Sequence, residues 1–498
     1  MAKNKKQKSK KSNRKINKKS ETNSEYASLC AIAPVIKDKN VFDVVHQKVE
    51  IYQKKVDYRP TDKLVLMTLG IMSGCDVVFD INRKLRVDRP LLRAFGYSKC
   101  ADQSVIQDTL NAATQENVLQ MESALKTIWD KNNLTVPILE NARIEGRIET
   151  IDMDLSGMPA SKKAECSTKG YFAGEKNIHG RQLARIVFAK TQEIISESLY
   201  PGNKTSCKAF KPTVEKMERI LGLTDISHRK LIRFRLDAGF GTDENINYAL
   251  WRGYHLLVKM YSGKRAKKLA NSVKEWVDIS PSSDNKSRQA GWITEPHRLF
   301  FRWSAERHCK KTKQLAIRTL KNKKYQYSII VTTYMDADIQ PTIDDYDGRS
   351  GVPESSFCQD NQGLGNKKRR KRGFDAQRML MLLTQLAHNL IRWIQKWMIT
   401  AVEQSLEEQS LEQLLPETSD NTLSTDQSSP EKAIKTLKEF GMKRFVCQIL
   451  CLTGQVKMKD GKVLSVIINP LYPLVSRIII AFKALLKPYG ISVSLDKI

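Results

Sequence analysis

The segment Arg147–Leu155, with the sequence Arg-Ile-Glu-Thr-Ile-Asp-Met-Asp-Leu, alternates in the way that a β-strand requires. Further strands are predicted at Leu183–Ala189, Ile194–Tyr200 and Leu231–Leu236, and a helix is predicted at Val214–Leu221. Strands joined by crossing helices pack into a sheet with helices against it. The centre of the chain therefore predicts an α/β fold.

Carboxylates occur at places in this predicted sheet where they can act together. Asp152 and Asp154 lie two residues apart on the first strand, so both side chains point to the same face. Asp237 ends a later strand, and Glu354 follows farther along the chain. Two Mg²⁺ or Mn²⁺ ions need oxygen ligands of this kind in a phosphoryl-transfer site. The acids predict a two-metal site with either Asp152 or Asp154 as a ligand, although each acid alone is more commonly a solvated carboxylate.

The net charge indicates the kind of partner. The 498-residue chain has 84 Lys and Arg against 54 Asp and Glu, which gives a formal net charge of +30. Such a surplus favours a polyanion, and beside a predicted phosphoryl-transfer site it favours nucleic acid. Hydrophobic residues make up 41% of the chain, which is enough for folded cores. Composition leaves a basic ribosome-associated or membrane-surface protein as the alternative.

Cysteines and apolar segments predict a cytoplasmic location. The nine cysteines are scattered and lack zinc-ligand spacing, which is typical of reduced thiols. The basic amino terminus has no apolar core of the kind that a signal peptide contains. Met379–Met398 is apolar but interrupted by polar residues, which predicts a buried helix rather than a membrane span. We therefore expect no membrane partner.

Composition and periodicity divide the chain into segments. The predicted organisation is a disordered basic arm at 1–24, a helical DNA-binding domain at 40–140, the first part of the catalytic domain at 146–261, a β-rich insertion at 262–340, the second part of the catalytic domain with a long helix at 341–415, a polar linker at 416–430, and a strand hairpin with a closing helix at 431–498. The arm has ten Lys or Arg among its first 19 residues, which suits contact with phosphates. A solubilising tail and a plain helical bundle are the alternatives for the first two segments.

Several short motifs resemble one family in their order and spacing. They are Asp154-x-Ser156, the strand end Arg235–Phe240, Tyr346-x-x-Arg349 leading to Glu354, and the segments Gly170–Phe172, Gly180–Leu183, Leu199–Asn203, Gln362–Gly365 and Leu383–Leu390. In this arrangement the chain resembles the bacterial insertion-sequence transposases of the Asp-Asp-Glu type. It is most similar to the group with a Tyr-Arg-Glu-Lys signature and a β-rich insertion before the glutamate. The resemblance extends from about residue 40 to the carboxyl end.

The resemblance implies a fold, an activity and a set of site residues. It implies a ribonuclease H-like catalytic domain with an all-β insertion. The implied activity is cut-and-paste transposition, in which two Mg²⁺ or Mn²⁺ ions support cleavage at the terminal inverted repeats and transfer of the 3′ ends into target DNA. A homodimer in the synaptic complex and a bacterial, nucleoid-associated location follow from the same likeness. The family's first aspartate precedes a hydroxyl residue by two positions, so the resemblance selects Asp154 over Asp152. It assigns Asp237 and Glu354 as the other metal-binding and catalytic residues.

Tyr346 and Arg349 match the family's signature residues that contact DNA near the active site. The chain departs from the family in two places. Four residues rather than three separate Arg349 from Glu354, and Asn361 stands where the family has a lysine. These departures motivate one rival function, a DNA-binding protein that has lost catalysis. A metal-dependent nuclease with the same site but without strand transfer is the other.

Further DNA contacts are predicted beyond the signature. A basic run follows the glutamate and is predicted to bind phosphates, with a solvated loop or a localisation signal as its alternative; it consists of Lys367, Lys368, Arg369, Arg370, Lys371 and Arg372. Lys367 or Lys368 is the candidate for the missing signature lysine. Among the tryptophans of the insertion, Trp276, Trp292 or Trp303 is expected to stack on a base displaced at the cut end, although tryptophans more often pack in cores.

Overall fold

A computed structural model of the chain describes most of its residues. The described ranges are 22–54, 57–172, 174–279, 287–297, 312–351, 353–412, 429–472 and 474–496, with the side chains of 350–355 and 409–412 outside the description. Residues 1–21 of the predicted arm, residues 416–428 of the predicted linker, and Trp303 lie outside the described residues.

The amino-terminal part is helical, beginning earlier than predicted. After the short strand β1 (Asn23–Ser24), the helices are α1 (Ala27–Asp38), α2 (Val41–Lys48), α3 (Pro60–Met72), α4 (Asp80–Arg83), α5 (Arg89–Ala94), α6 (Gln103–Asn111), α7 (Gln115–Asn132) and α8 (Thr135–Glu145). Local sequence explains several helix starts. The carboxylate of Asp62 accepts a hydrogen bond from the backbone N–H of Arg59 at 2.8 Å, and Asp102 accepts one from Ser104 at 2.9 Å, as capping acids do at helix amino termini.

The central sheet follows at the place where strands are predicted. Its elements are β2 (Glu149–Pro159), β3 (Thr168–Phe172), β4 (Glu175–Phe188), β5 (Ile194–Pro201), α9 (Ser206–Leu221), α10 (Ile226–Arg229), β6 (Ile232–Leu236), α11 (Asp243–Arg252) and β7 (His255–Lys259). The strands β2, β6 and β7 run parallel and lie side by side. On the other side of β2 lies β4, antiparallel to it, and β5 pairs with β4. The predicted mixed α/β architecture is confirmed.

The insertion extends this sheet rather than forming a separate unit. Its elements are α12 (Gly263–Leu269), β8 (Val277–Ile279), β9 (Arg288–Trp292), β10 (Lys313–Lys321) and β11 (Lys324–Thr332). β11 pairs antiparallel with β7, so a ten-stranded sheet results. The insertion also contains the helix α12, so the prediction of an all-β insertion is wrong in this respect. Without the insertion, β7 would be an edge strand with unpaired backbone groups. β11 pairs with these groups and so makes the insertion continuous with the central sheet.

The remaining segments complete the fold around one long helix. They are α13 (Ile339–Asp347), a 3₁₀ turn (Gly348–Gly351), α14 (Pro353–Gly363), α15 (Phe374–Glu412), α16 (Pro430–Lys438), α17 (Met442–Phe445), β12 (Gly454–Lys459), β13 (Lys462–Ile468), α18 (Val475–Leu486) and β14 (Ser492–Leu495). The long helix α15 confirms the predicted one, and Leu383, Leu390 and Ile394 on it are fully buried. No helix in the described ranges is long and apolar enough to cross a bilayer.

The two ends of the described chain share a small sheet. The hairpin between β12 and β13 turns at Asp460 and Gly461, both with positive φ, as the predicted Asp-Gly turn requires. β1 pairs with β12, and β14 pairs in parallel with β13. The carboxyl-terminal element is thus joined to the amino-terminal residues, a long-range pairing that no local pattern in the sequence indicates.

The two faces of the central sheet have different surroundings. Because side chains alternate along a strand, Met153, Leu236 and Val258 point into the main hydrophobic core. Asp154 and Asp237, one residue farther along β2 and β6, point to the opposite face. We call this opposite face the site face.

A buried ionic network on the site face joins the sheet to α14 and α15. The Arg185 guanidinium on β4 contacts Glu197 at 2.6 Å and Asp360 at 2.7 Å, and it donates a hydrogen bond to Ser356 at 2.7 Å. Asp360 in turn lies 2.7 Å from His388 of α15. Burial acts to raise the pKa of Asp360, but His388 and Arg185 hold it below its ordinary value. The network fixes α14 against β4.

Replacing Arg185 by methionine tests this network. We expect Arg185→Met to lower the free energy of unfolding by about 3–5 kcal/mol, because it leaves two carboxylates buried without their cation. Urea denaturation followed by circular dichroism measures the change. The matched control is Arg86→Met, which removes a half-exposed ion pair to Asp102 and should cost less than about 1 kcal/mol. Equal losses in the two variants would contradict the account.

Candidate active site

Two aspartates lie side by side where the parallel pairing of β2 and β6 ends. The parallel register of β2 and β6 pairs Met153 with Leu236, so Asp154 and Asp237 are the next residues along each strand. Adjacent strands lie about 4.8 Å apart, which brings the two carboxylates into one place on the site face. Both residues are partly exposed. The structure therefore brings together two of the three predicted metal ligands.

Local backbone contacts orient both carboxylates. The Oδ1 atom of Asp154 accepts a hydrogen bond from the backbone N–H of Leu155 at 2.8 Å, and Oδ1 of Asp237 accepts one from Gly239 at 2.9 Å. A side chain at Gly239 would place its Cβ 2.8 Å from the hydroxyl of Ser206. A larger residue at position 239 would therefore displace the Ser206 side chain, and the backbone N–H at this position helps to orient Asp237.

Asp152 has a structural role that distinguishes it from Asp154. It is fully buried, and its two oxygens accept hydrogen bonds from Nε and Nη2 of Arg235, both at 2.7 Å. Burial raises the pKa of Asp152, and the opposing charges of Arg235 and Arg349 only partly offset that rise. A carboxylate already held in a two-pronged ion pair is a poor candidate for a metal ligand. The geometry therefore favours Asp154.

Ion pairs hold the segment with the signature tyrosine and arginine over the end of β6. Asp345 at the end of α13 pairs with Arg233 at 2.5 Å, and its backbone carbonyl accepts a hydrogen bond from Arg235 at 2.6 Å. Asp347 pairs with Arg288 of β9 at 2.6 Å. These contacts join α13 to both the central sheet and the insertion. The 3₁₀ turn that follows is thereby placed next to the two aspartates.

Tyr346 lies within electrostatic reach of Asp237, and Arg349 interacts with Tyr346. Burial raises the pKa of Tyr346 to about 12; a hydrogen bond and charge interaction with Arg349 oppose this rise, and the charge of Asp237 adds to it. Arg349 is only 8% exposed. The structure thus places both signature residues at the site, while their contact with DNA stays a prediction.

The helix that carries Glu354 begins beside Asp154. Glu354 is the second residue of α14, and its side chain lies outside the described residues. Ser356, two positions later, accepts a hydrogen bond from Arg185, and Arg185 is the cross-strand partner of Asp154. The first turn of α14 is therefore held against the strand next to Asp154. Among the described side chains alone, no group of three metal-ligating residues occurs.

The predicted basic run is not one exposed surface. Arg369 and Lys371 are buried, and Arg369 donates a hydrogen bond to the carbonyl of Cys75 at 2.9 Å. Burial lowers the pKa of Arg369 to about 10 and that of Lys371 to about 8. Arg369 thus ties the run to the loop at Cys75, and the buried charges of Arg369 and Lys371 are not presented to a partner. The residues of the run with exposed or partly exposed side chains are Lys367, Lys368, Arg370 and Arg372.

The predicted positions for the signature lysine are not equivalent. Lys368 pairs with Asp76 of the amino-terminal part. Asn361 lies on α14, and its side-chain oxygen is buried without a hydrogen-bond donor among the described residues. Lys368 is thus already engaged in an ion pair, and the assignment of the lysine role to Lys367 stays a prediction.

The tryptophans of the insertion lie on different faces. Trp292 packs on the small apolar cluster that also contacts Tyr346, on the site face, with the Lys313 ammonium 3.8 Å from its ring centre. Trp276 packs on the main core on the opposite face, with Arg318 4.3 Å from its ring centre. Of the three candidates for base stacking, Trp292 is thus the one that the described structure places on the side of the aspartates.

One residue of the site was missed by sequence reasoning. The register of β6 and β7 pairs Leu236 with Val258, which places Lys259 beside Asp237. The missed signal was a lysine at the end of the strand that follows the one bearing Asp237. Its neighbour in the sheet depends on strand pairing, which the sequence alone did not show.

The buried ammonium of Lys371 leads to a prediction with a defined pH dependence. Below pH 8 both the folded and unfolded states carry the proton, so the full cost of burying the charge applies. Between about pH 8 and 10.5 the folded state loses its proton first and the cost falls. We expect Lys371→Met to stabilise the protein at pH 7 by on the order of 3 kcal/mol, and by much less at pH 10.5.

Denaturation with urea at both pH values measures this difference. Lys368→Met is the matched control, because it removes a neighbouring lysine whose side chain is exposed, and it should change stability little at either pH. A stabilisation of Lys371→Met that is the same at pH 7 and pH 10.5 would contradict the buried-charge explanation.

Comparison with known proteins supports one class of domain. Residues 145–390 match the family model described as transposase DDE domain, and this range contains both aspartates and Glu354. The match supports a DDE transposase.

Comparisons with solved structures and with curated proteins add little support to this class of domain. A cryo-EM structure of the piggyBac transposase synaptic complex with hairpin DNA is similar with a TM-score of 0.40 and 12% sequence identity, over 72% of this chain and 74% of that chain. A search of curated proteins returns no match. The assignment to a class therefore rests on the family match.

Proposed function

We propose that this protein is a cut-and-paste DNA transposase that binds the ends of an insertion sequence, cleaves the phosphodiester there and transfers the 3′ ends into target DNA. The observation that carries the proposal is the pair Asp154 and Asp237, side by side where the parallel pairing of β2 and β6 ends, with the helix of Glu354 held beside them. All three lie within the range that matches the transposase domain. A bacterial insertion-sequence origin is part of this proposal, supported by the motifs around these residues.

The strand order supports a ribonuclease H-like core. Three parallel strands in the order β2, β6, β7 continue on the other side of β2 into antiparallel β4 and then β5. In such a sheet Asp154 on β2 and Asp237 directly after β6 lie next to each other, because the two strands pair in parallel with Met153 opposite Leu236. The amino-terminal helices and the insertion are then additions around this core.

The donor set fits divalent metal ions. Asp154 and Asp237 offer carboxylate oxygens, the ligands that Mg²⁺ and Mn²⁺ prefer, and backbone hydrogen bonds already orient one oxygen of each. Glu354 is proposed as the third ligand from the first turn of α14. Two bound ions would supply an activated water and polarisation of the scissile phosphate.

The chain's own residues have separate tasks around that centre. Arg349 is proposed to bind the phosphodiester, and Tyr346 to orient Arg349 through their hydrogen bond. Burial of this pair beside Asp237 keeps bulk water away, which strengthens charge interactions with a phosphate. Trp292 is proposed to stack on a base displaced at the cut end, because it lies on the site face.

The partner is proposed to be DNA, both the terminal repeats and the target. The net charge of +30 favours a polyanion, and the exposed members of the basic run follow α14 directly. A homodimer that holds two ends is proposed for the working complex. A nuclease without strand transfer would use the same residues, and the assay below distinguishes it by the absence of joined products.

Substitution of the three acids tests the proposed chemistry. We expect Asp154→Ala, Asp237→Ala and Glu354→Ala each to abolish Mg²⁺-dependent cleavage of duplexes taken from the DNA flanking the gene, while end binding stays nearly intact. The reason is that these acids hold metal and not the duplex. Gel analysis of cleaved and joined products, with binding measured in EDTA, gives both readouts.

Two further variants make this test specific. Glu116→Ala removes an exposed acid from α7 and should leave cleavage unchanged. Asp152→Ala should lower thermal stability, because it leaves Arg235 buried without its carboxylate. Full cleavage by any one of the three active-site variants would remove that residue from the site.

The salt dependence of DNA affinity tests the exposed part of the basic run. Neutralising Lys367, Lys368, Arg370 and Arg372 together should flatten the slope of log affinity against log salt by about 0.9 for each phosphate that the variant no longer binds. Fluorescence anisotropy over a salt series measures the slope. The control neutralises four exposed lysines of the carboxyl-terminal part, namely Lys457, Lys459, Lys462 and Lys483. The same slope in the run variant, the control and the wild type would show that the run does not contact DNA.

A further inference from the structure

Lys259 completes a row of three charged residues across the parallel strands β2, β6 and β7. It is the last residue of β7, and the register places it next to Asp237 on the side away from Asp154. Leu257, two positions earlier, points to the apolar cluster of the site face, so Lys259 points to the same face. The order across the sheet is Asp154, Asp237 and Lys259.

Lys259 and its charged neighbours together contain three cations, namely Lys259, Arg288 and Arg349, and two carboxylates, Asp237 and Asp347. Burial, Arg288 and Arg349 lower the pKa of Lys259, while Asp237 and Asp347 act in the opposite direction. Three cations thus face two described carboxylates, and one of those carboxylates, Asp347, already pairs with Arg288. An ammonium that is half buried among other cations costs free energy unless an anion compensates it. The geometry is suited to a bound anion beside Asp237.

Close backbone packing fixes Lys259 relative to Asp237. A Cβ on Gly241 would lie 1.9 Å from the carbonyl oxygen of Lys259, so only glycine permits the turn after Asp237 to pack this closely on the end of β7. The backbone N–H of Tyr261 then donates to the carbonyl of Gly241 at 2.9 Å. The two charged residues are therefore held on one rigid edge, which limits the entropy lost when a ligand binds.

We propose that Lys259 binds a phosphate of the cleaved DNA strand, at or next to the scissile position. This inference rests on the proposed transposase function and adds a phosphate-binding residue to its site. Neighbouring strands are about 4.8 Å apart, so Lys259 lies roughly 5 Å from Asp237 and roughly 10 Å from Asp154 in the sheet direction. If the scissile phosphate of a DNA strand lies at the two aspartates, either that phosphate or the adjacent one therefore lies next to Lys259. A lysine suits this contact as a compact charge with three donors.

Methylphosphonate interference tests the contact. The probes are duplexes from the DNA flanking the gene, each with one neutral methylphosphonate near the mapped cut, and binding is measured in EDTA. For the wild type we expect a roughly ten- to hundredfold loss of affinity at one position within one nucleotide of the cut, the effect of losing a hydrogen bond to a charged group. Lys259→Met should bind the unmodified duplex more weakly by a similar factor. The methylphosphonate at the sensitive position should then cause no further loss of affinity in this variant.

Two other variants separate contact from folding. Lys259→Arg keeps the charge and should regain most of the affinity together with the sensitivity at that position. Lys190→Met is the matched control, since Lys190 pairs with Glu149 at the opposite end of the sheet, and it should behave as the wild type. If Lys259→Met remains as sensitive as the wild type to every methylphosphonate, the lysine does not contact a phosphate and the inference is overturned.

Failure of the proposed function would give a different result. If the wild type binds none of the flanking duplexes in preference to unrelated DNA and cleaves none in Mg²⁺, the transposase proposal itself is overturned, and the role of Lys259 with it. If the wild type binds and cleaves these duplexes, but Lys259→Met is as sensitive as the wild type to every methylphosphonate, only the role of Lys259 is overturned.

Discussion

Arg185 places a permanent positive charge where water cannot reach it, and much of the architecture depends on how that charge is compensated. Glu197 on β5 and Asp360 on α14 lie within 2.7 Å of its guanidinium. His388 connects Asp360 to α15 at 2.7 Å. Because each unpaired member would leave an uncompensated buried charge, the sheet, α14 and α15 can combine in only one arrangement.

The network around Arg185 also positions Glu354, although Glu354 is not a member of it. Glu354 begins the helix that Arg185 holds, and Arg185 is the cross-strand partner of Asp154. A second set of ion pairs, from Arg235 to Asp152 and to the end of α13, holds the signature tyrosine and arginine near Asp237. Buried charges away from the chemistry therefore position acids and cations whose exposed groups are available for it. The site lies where β2, the end of α13 and the start of α14 meet. Arg235 holds β2 and α13, and Arg185 holds α14.

Sequence patterns predicted the elements with strong periodicity and local turn chemistry. The strands around Asp154 and Asp237, the long helix α15 and the Asp460 hairpin are of this kind, because alternation, apolar content and an Asp-Gly turn are properties of neighbouring residues. Lys259 was missed because its significance depends on which strand pairs with which. Lys371 was misjudged, since a basic run is usually solvated and only tertiary packing shows which of its members are buried. The joining of the insertion to the central sheet escaped prediction for the same reason.

The convergence of three carboxylates is the claim on which the proposed chemistry depends, and one crystallographic measurement addresses it. Crystals of the protein soaked in Mn²⁺ and measured at the manganese edge would show where metal binds. The account predicts anomalous density between the carboxylates of Asp154 and Asp237, with a Glu354 oxygen at about 2.1 Å from an ion, the ligand distance of small hard cations. Anomalous density elsewhere, or a Glu354 side chain directed away from the two aspartates, would contradict it.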